Sequence, residues 1–161
     1  LWARLAPSFP DWELYIVGDG KMRSELTALV STLGLTGSVT LATPTHQMQE
    51  VYRSSSVYAM TSRYEGLPMV LLEAQQMGLP IVSFACPCGP RDVITDGRDG
   101  VLIELGVEER FVAGLSRLMS DEKLRQRMGA EARQASLRYT VDQVMAQWIE
   151  LFEGLYKGTS K

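Results

Sequence analysis

Apolar and polar positions along the chain alternate between short runs and periodic stretches, and the two patterns predict strands and helices in turn. Residues 12–17 (WELYIV) read as a buried strand, with further strands at 38–41, 57–61, 81–84 and 101–103. Between them, residues 21–33 place Leu26, Leu29, Val30 and Leu33, joined by Met22, on one helical stripe, and 48–55 form a shorter helix. Pro68 opens the next helix, because its fixed φ suits a first turn and its missing N–H would have no intrahelical partner there. Gly78 ends that helix in the left-handed conformation, and Pro80 prevents its resumption. Almost every early position from Met69 onward is apolar, so this helix is expected to be buried on most sides, which makes Glu73 an oddity. A helical turn is expected at 92–95, and Asp96-Gly97 and Asp99-Gly100 mark turns. Residues 107–119 carry Phe111, Leu115 and Leu118; Asp121 caps a helix to about 138, and 142–156 form the last helix, with Trp148, Ile149, Phe152 and Tyr156 apolar. At the other end Leu1, Trp2 and Leu5 read as the last turns of a helix stopped by Pro7 and Pro10, as in a chain cut from a longer protein. The alternation predicts an α/β fold, a Rossmann-like doubly wound parallel sheet with helices on both faces, in one domain spanning 1–161.

Composition narrows the function classes. The 161 residues suffice for one sizeable core, and 16 basic against 19 acidic residues leave a net charge of −3, with no broad positive surface for nucleic acid. No apolar run approaches the ~20 residues of a membrane span and no signal peptide is visible, so a cytoplasmic location is expected. Cys86 and Cys88 are too close for an ordinary disulfide loop and too few for a zinc site; reduced thiols and no metal are expected. His46, the single histidine, has no acidic or cysteine partner at ligand spacing, and a surface or capping role is expected of it. In residues 123–133, Lys123, Arg125, Arg127 and Arg133 alternate with acidic residues, as on a solvated helix face.

The chemistry concentrates in residues 62–100. Glu65 and Glu73 stand eight positions apart, one before the helix that Pro68 opens and one inside it, so both carboxylates can face a cavity at the helix N-terminus. Free N–H groups of residues 66–70 point into the same space with the positive end of the helix dipole behind them, a setting that suits phosphate. A diphosphate flanked by hydroxyls would engage both features, and a nucleotide sugar has that form. Spacing alone leaves open a plain loop residue at Glu65 and a solvated one at Glu73. Gly18-Asp19-Gly20 follows a strand, but position 23 is Arg where a dinucleotide fingerprint requires glycine, which disfavours a Rossmann dinucleotide binder.

The run SRYEGLPMVLLEAQQMGLPIV, with VGDGKMRSEL before it and CGPRDVITDGRDGVLI after it, resembles the signature of family 4 retaining glycosyltransferases of the GT-B class, over residues 12–156. The resemblance implies the C-terminal, donor-binding half of a GT-B fold in an enzyme of bacterial surface-polysaccharide synthesis. By that resemblance Glu73 holds the ribose hydroxyls, and Glu65 contacts the donor sugar at the reacting centre as the catalytic candidate. Backbone groups of Gly66, Leu67, Pro68, Met69 and Val70 surround sugar and diphosphate, Gly18 and Gly20 shape the neighbouring wall, and Arg63 joins the donor-binding set. The loop after the strand at 38–41 lies near the base. The implied partner is a nucleotide sugar, a UDP-sugar, from which a hexose or N-acetylhexosamine passes to a glycan or lipid-linked acceptor, with no cofactor and no metal. The acceptor would be reached through an N-terminal domain missing here, with peripheral membrane association of the whole enzyme at the inner face. The family's first strand is also missing, with the Arg and Lys that clamp the diphosphate. Its place is between the strands at 12–17 and 57–61, which must either close up or receive another segment, and the chain alone is expected to be inactive. A noncatalytic nucleotide-sugar module and a GT-B epimerase remain open alternatives. A glycogen phosphorylase would need a pyridoxal-bearing lysine motif, which is not evident.

Overall fold

The computed structural model describes residues 1–158. In chain order the elements are α1 (Trp2–Leu5), β1 (Leu14–Val17), α2 (Arg23–Thr32), β2 (Val39–Ala42), α3 (Met48–Ser54), β3 (Tyr58–Met60), α4 (Met69–Gln76), β4 (Ile81–Phe84), α5 (Pro90–Val93), β5 (Gly100–Ile103), α6 (Glu108–Ser120), α7 (Glu122–Ser136) and α8 (Val141–Gly158). Short 3-10 turns follow α1 at Ala6–Ser8, taking in Pro7, and follow α7 at Leu137–Tyr139.

All strand pairs are parallel, but they form two sheets rather than one. β1 pairs with β2, and β3-β4-β5 form a separate three-stranded sheet. Among the described residues β1 pairs only with β2 and β3 only with β4, so each keeps one edge without a ladder partner. They have not closed up. This corrects the expectation of a buried strand at 12–17: Tyr15 is 49% and Ile16 39% exposed. A strand is buried when strands flank both edges and helices cover both faces, and β1 has neighbours on one edge only.

β4 is the opposite case, buried at every position and flanked by β3 and β5. Its side chains alternate between two cores, as the period of two requires. Val82 and Phe84 join Trp2, Leu5, Ile103, Phe111, Leu115 and Leu118 on the side of α1 and α6. Ile81 joins Tyr52, Met60, Leu71, Ala74 and Val93 on the side of α3, α4 and α5. Helices therefore cover both faces of the three-stranded sheet.

Helix ends follow the local chemistry. At α4 the N–H of Gly78 (φ +76°) donates to the Gln75 carbonyl and that of Leu79 to Ala74, the Schellman pattern in which glycine takes the left-handed position. Gly34 (φ +67°) ends α2 in the same way. Asp121 accepts the Leu124 N–H at 2.9 Å and caps α7. Arg125 departs from the expected solvated face: its guanidinium donates to the last carbonyls of α6, Leu118 at 2.7 Å and Met119 at 2.9 Å, and lies 5.1 Å from the Trp12 ring centre. Arg138 and Tyr139 likewise donate to the Asp92 carbonyl at the end of α5.

Among the described residues, α2 and α8 present apolar side chains to solvent. The stripe of α2 forms as expected, yet no residue of that helix is buried. In α8, Trp148, Ile149, Phe152 and Tyr156 are all exposed.

Candidate functional site

The loop leaving β3 carries Ser62 to Pro68 to the head of α4. Pro68 is extended (ψ 91°) and stands just before the helix, so Met69 and Val70 hold the first-turn N–H groups, which have no carbonyl behind them within the helix. The Leu71 N–H already turns back to the Pro68 carbonyl at 2.9 Å.

A second loop fixes this backbone. Gly89 takes φ +83°, and a Cβ there would lie 2.3 Å from Pro68 Cδ and 2.4 Å from the Gly66 carbonyl oxygen. Only glycine permits that approach. The Gly89 N–H is in turn held by the Asp92 carboxylate at 3.1 Å.

α4 is less enclosed than its apolar run implies. Leu71, Ala74 and Gln75 are buried, whereas Met69, Val70, Glu73 and Gln76 form an exposed face at helical spacing. Glu73 is therefore no oddity in a buried helix. It stands on the open side, and the expectation of burial on most sides fails because the sheet, α5 and α7 leave the face of Met69, Val70, Glu73 and Gln76 uncovered. One carboxylate oxygen of Glu73 accepts the Tyr52 hydroxyl at 2.8 Å, a link from α3 to α4.

Electrostatics tie the two carboxylates to one neighbourhood. The Tyr58 hydroxyl is pushed up to about 12, first by burial, then by the charge of Glu73, then by that of Glu65. Burial and the bonded Glu73 carboxylate push the Tyr52 phenol up further still. Its ring lies 6.0 Å from that of Tyr58. Burial, followed by the charge of Glu65, also raises the Cys86 thiol. Glu65 is half-buried, and among the described residues it makes no hydrogen bond or ion pair. Arg63 is exposed and, among the described residues, likewise uncommitted.

The structure thus gathers Glu65, Gly66, Leu67, Pro68, Met69, Val70 and Glu73 at the first turns of α4. Gly18 and Gly20 belong to the other sheet, at the carboxyl end of β1. Gly18 has φ +153°, which favours glycine; Gly20 does not, and its N–H bonds the Asp19 carboxylate at 2.8 Å. Both line a cavity of about 360 Å³ with Ile16, Met22, Arg23, Leu26 and Leu41. There the Arg23 guanidinium donates to the Gly18 and Leu41 carbonyls at 3.1 and 3.0 Å, tying the ends of β1 and β2 together. His46 is exposed, Cys86 and Cys88 are free thiols, and no cluster of three or more metal-ligating side chains exists among the described residues. Sequence reading missed Tyr52, Tyr58 and Gly89. Nothing in one sequence marks a tyrosine two elements upstream of a glutamate as its partner.

The family model for glycosyl transferases group 1 matches residues 1–135. The chain belongs to this family. It is 40% identical over 140 residues to the amylovoran biosynthesis glycosyltransferase AmsD of Erwinia amylovora, covering 87% of this chain and 39% of that protein. It is 35% identical over 126 residues to the lipopolysaccharide 1,6-galactosyltransferase of Salmonella typhimurium, covering 76% of this chain and 35% of that one. The fold superimposes on a variant of S. aureus TarM, solved with fondaparinux, α-GlcNAc-glycerol and UDP, with a TM-score of 0.88 at 24% identity, over 93% of this chain and 31% of TarM. The group 1 chain described here therefore spans about two fifths or less of these relatives' length. Its architecture is that of the C-terminal portion of a GT-B fold.

Proposed function

We propose that residues 1–161 are one nucleotide-sugar-binding domain of a retaining glycosyltransferase that takes a UDP-sugar and transfers a hexose or N-acetylhexosamine to a glycan or lipid-linked acceptor. The observation that carries this reading is the placement of Glu65 just before α4 and of Glu73 on its exposed face, beside the free N–H groups that head the helix. Glu73 accepts from the ribose hydroxyls, with one oxygen committed to Tyr52 and the other open. Met69 and Val70 N–H groups receive the diphosphate, and their interaction strengthens as negative charge grows on the leaving group, which is the condition for catalysis. Glu65, uncommitted and half-buried, accepts from the donor sugar at the reacting centre, and Arg63 adds positive charge near the phosphates. Gly18 and Gly20 form the opposing wall.

Relatives named for amylovoran biosynthesis and as a lipopolysaccharide galactosyltransferase, and a fold neighbour solved with UDP, support the substrate class. In the same reading the apolar residues of α8 pack on a second, acceptor-binding domain, which acts at the inner face of the cytoplasmic membrane. No metal or cofactor takes part, and residues 1–161 alone bind donor without turnover. No helix among the described residues is long and apolar enough to cross a membrane.

A titration of the chain with UDP, GDP, ADP and NAD, followed by two-dimensional NMR, tests the proposal. UDP should shift resonances of residues 65–73, and Glu73→Ala should weaken it about ten- to hundredfold, the loss of roughly 1.5–3 kcal/mol for hydrogen bonds to a charged group. Equal shifts from all four ligands, or none from UDP, would count against it.

A further inference from the structure

Tyr52 does more than fill the core beneath α3. Its ring is only 4% exposed, packed among Met60, Leu71, Ala74 and Ile81 and tilted against Tyr58, so the hydroxyl is held in one place. Glu73 is the reverse, a flexible side chain on an exposed helix face, free to sample several rotamers in water. The 2.8 Å bond from the fixed phenol to one Glu73 oxygen joins these two conditions.

We propose that Tyr52 is a positioning residue for the nucleotide site, its buried hydroxyl orienting the Glu73 carboxylate so that the remaining oxygen faces the ribose hydroxyls. The inference rests on the donor-site reading given above. A phenol suits the role in two ways. It donates one hydrogen bond and cannot neutralise the carboxylate, as Lys or Arg would, so Glu73 remains a charged acceptor for hydroxyls. It also keeps its proton at any physiological pH, because burial and the adjacent Glu73 charge both favour the neutral form. Tyr52 touches no substrate; it removes ordering cost that the ligand would otherwise meet on binding.

Calorimetric titration of the chain with UDP and with 2′,3′-dideoxy-UDP tests this. Tyr52→Phe keeps the ring and removes the hydroxyl, and it should weaken UDP about two- to tenfold, the scale of ordering one flexible side chain. The same variant should bind dideoxy-UDP as the unsubstituted chain does. Added to Glu73→Ala, it should cost nothing more. A Tyr52→Phe chain that binds UDP normally, or loses both ligands equally as a merely structural lesion would, overturns the proposal. The unsubstituted chain offers an independent readout: the Tyr52 hydroxyl proton, followed by NMR, should move on addition of UDP and stay in place with dideoxy-UDP. A resonance that ignores UDP, or answers both ligands alike, overturns it too. The two readings fail distinguishably. If the unsubstituted chain binds no UDP, the donor site falls and this role with it; if Glu73→Ala weakens UDP while Tyr52→Phe does not, only this role falls.

Discussion

Tyr58 shows how one residue reports on the whole site. Its hydroxyl is shifted from the ordinary tyrosine value to about 12 by burial, then by the charges of Glu73 and Glu65, so the folded chain favours the neutral phenol more than the unfolded chain does. A folded-state value raised in this way contributes stability that is complete below about pH 10 and is lost as pH rises from there through about 12. Denaturation midpoints measured across that window should fall, and Tyr58→Phe should flatten the fall. An unchanged slope would mean that burial and the two carboxylate charges do not raise the Tyr58 hydroxyl. Gly89 is the other telling residue. With φ +83° and the atoms of Gly66 and Pro68 within 2.4 Å of where a Cβ would stand, Gly89→Ala must displace the backbone ahead of α4. UDP affinity is expected to drop in that variant together with thermal stability.

At the scale of elements, the contact between α4 and α7 depends on a second pair of glycines. A Cβ on Gly129 would lie 2.2 Å from the Gly78 carbonyl oxygen, and backbone on both sides leaves little room to yield. Gly129→Ala should therefore destabilise the chain by about 1–3 kcal/mol, the usual cost of overpacking, as read from denaturant melts. No loss would show that α7 shifts freely over the end of α4. Gly78 was legible in the sequence, since a glycine before Pro80 at the end of an apolar run is a helix stop. Gly129 was not, because a glycine inside a helix carries no local signal of what crosses it. Arg125 teaches the same lesson: in sequence it is one of several alternating charges, and only the turn between α6 and α7 brings it under the carbonyls of Leu118 and Met119.

For the molecule as a whole, the break between the β1-β2 pair and the β3-β4-β5 sheet predicts uneven stability. β4 is buried throughout and lies between two strands, while β1 and β2 contain no fully buried residue. A two-stranded sheet with so little cover is weakly held. Hydrogen exchange should find the amides of residues 81–84 the slowest in the chain, and those of 14–17 and 39–42 markedly faster. Equal protection in the two sheets would show that they behave as one.

What the sequence determined by itself was the local order of things. Strand and helix identities, the stop at Gly78, the cap at Asp121 and the Glu65–Glu73 spacing around the helix start all follow from interactions within a few residues, where periodicity and backbone preference act directly. The tertiary structure decided which of those elements would be buried and which side chains would meet. Exposure of Tyr15 and Ile16, the open face of α4, the seat of Gly89 on Pro68 and the bond from Tyr52 to Glu73 depend on groups brought together across gaps of many residues. Such contacts arise from the packing of whole elements, and a run of apolar letters reads alike whether or not a neighbour arrives to cover it.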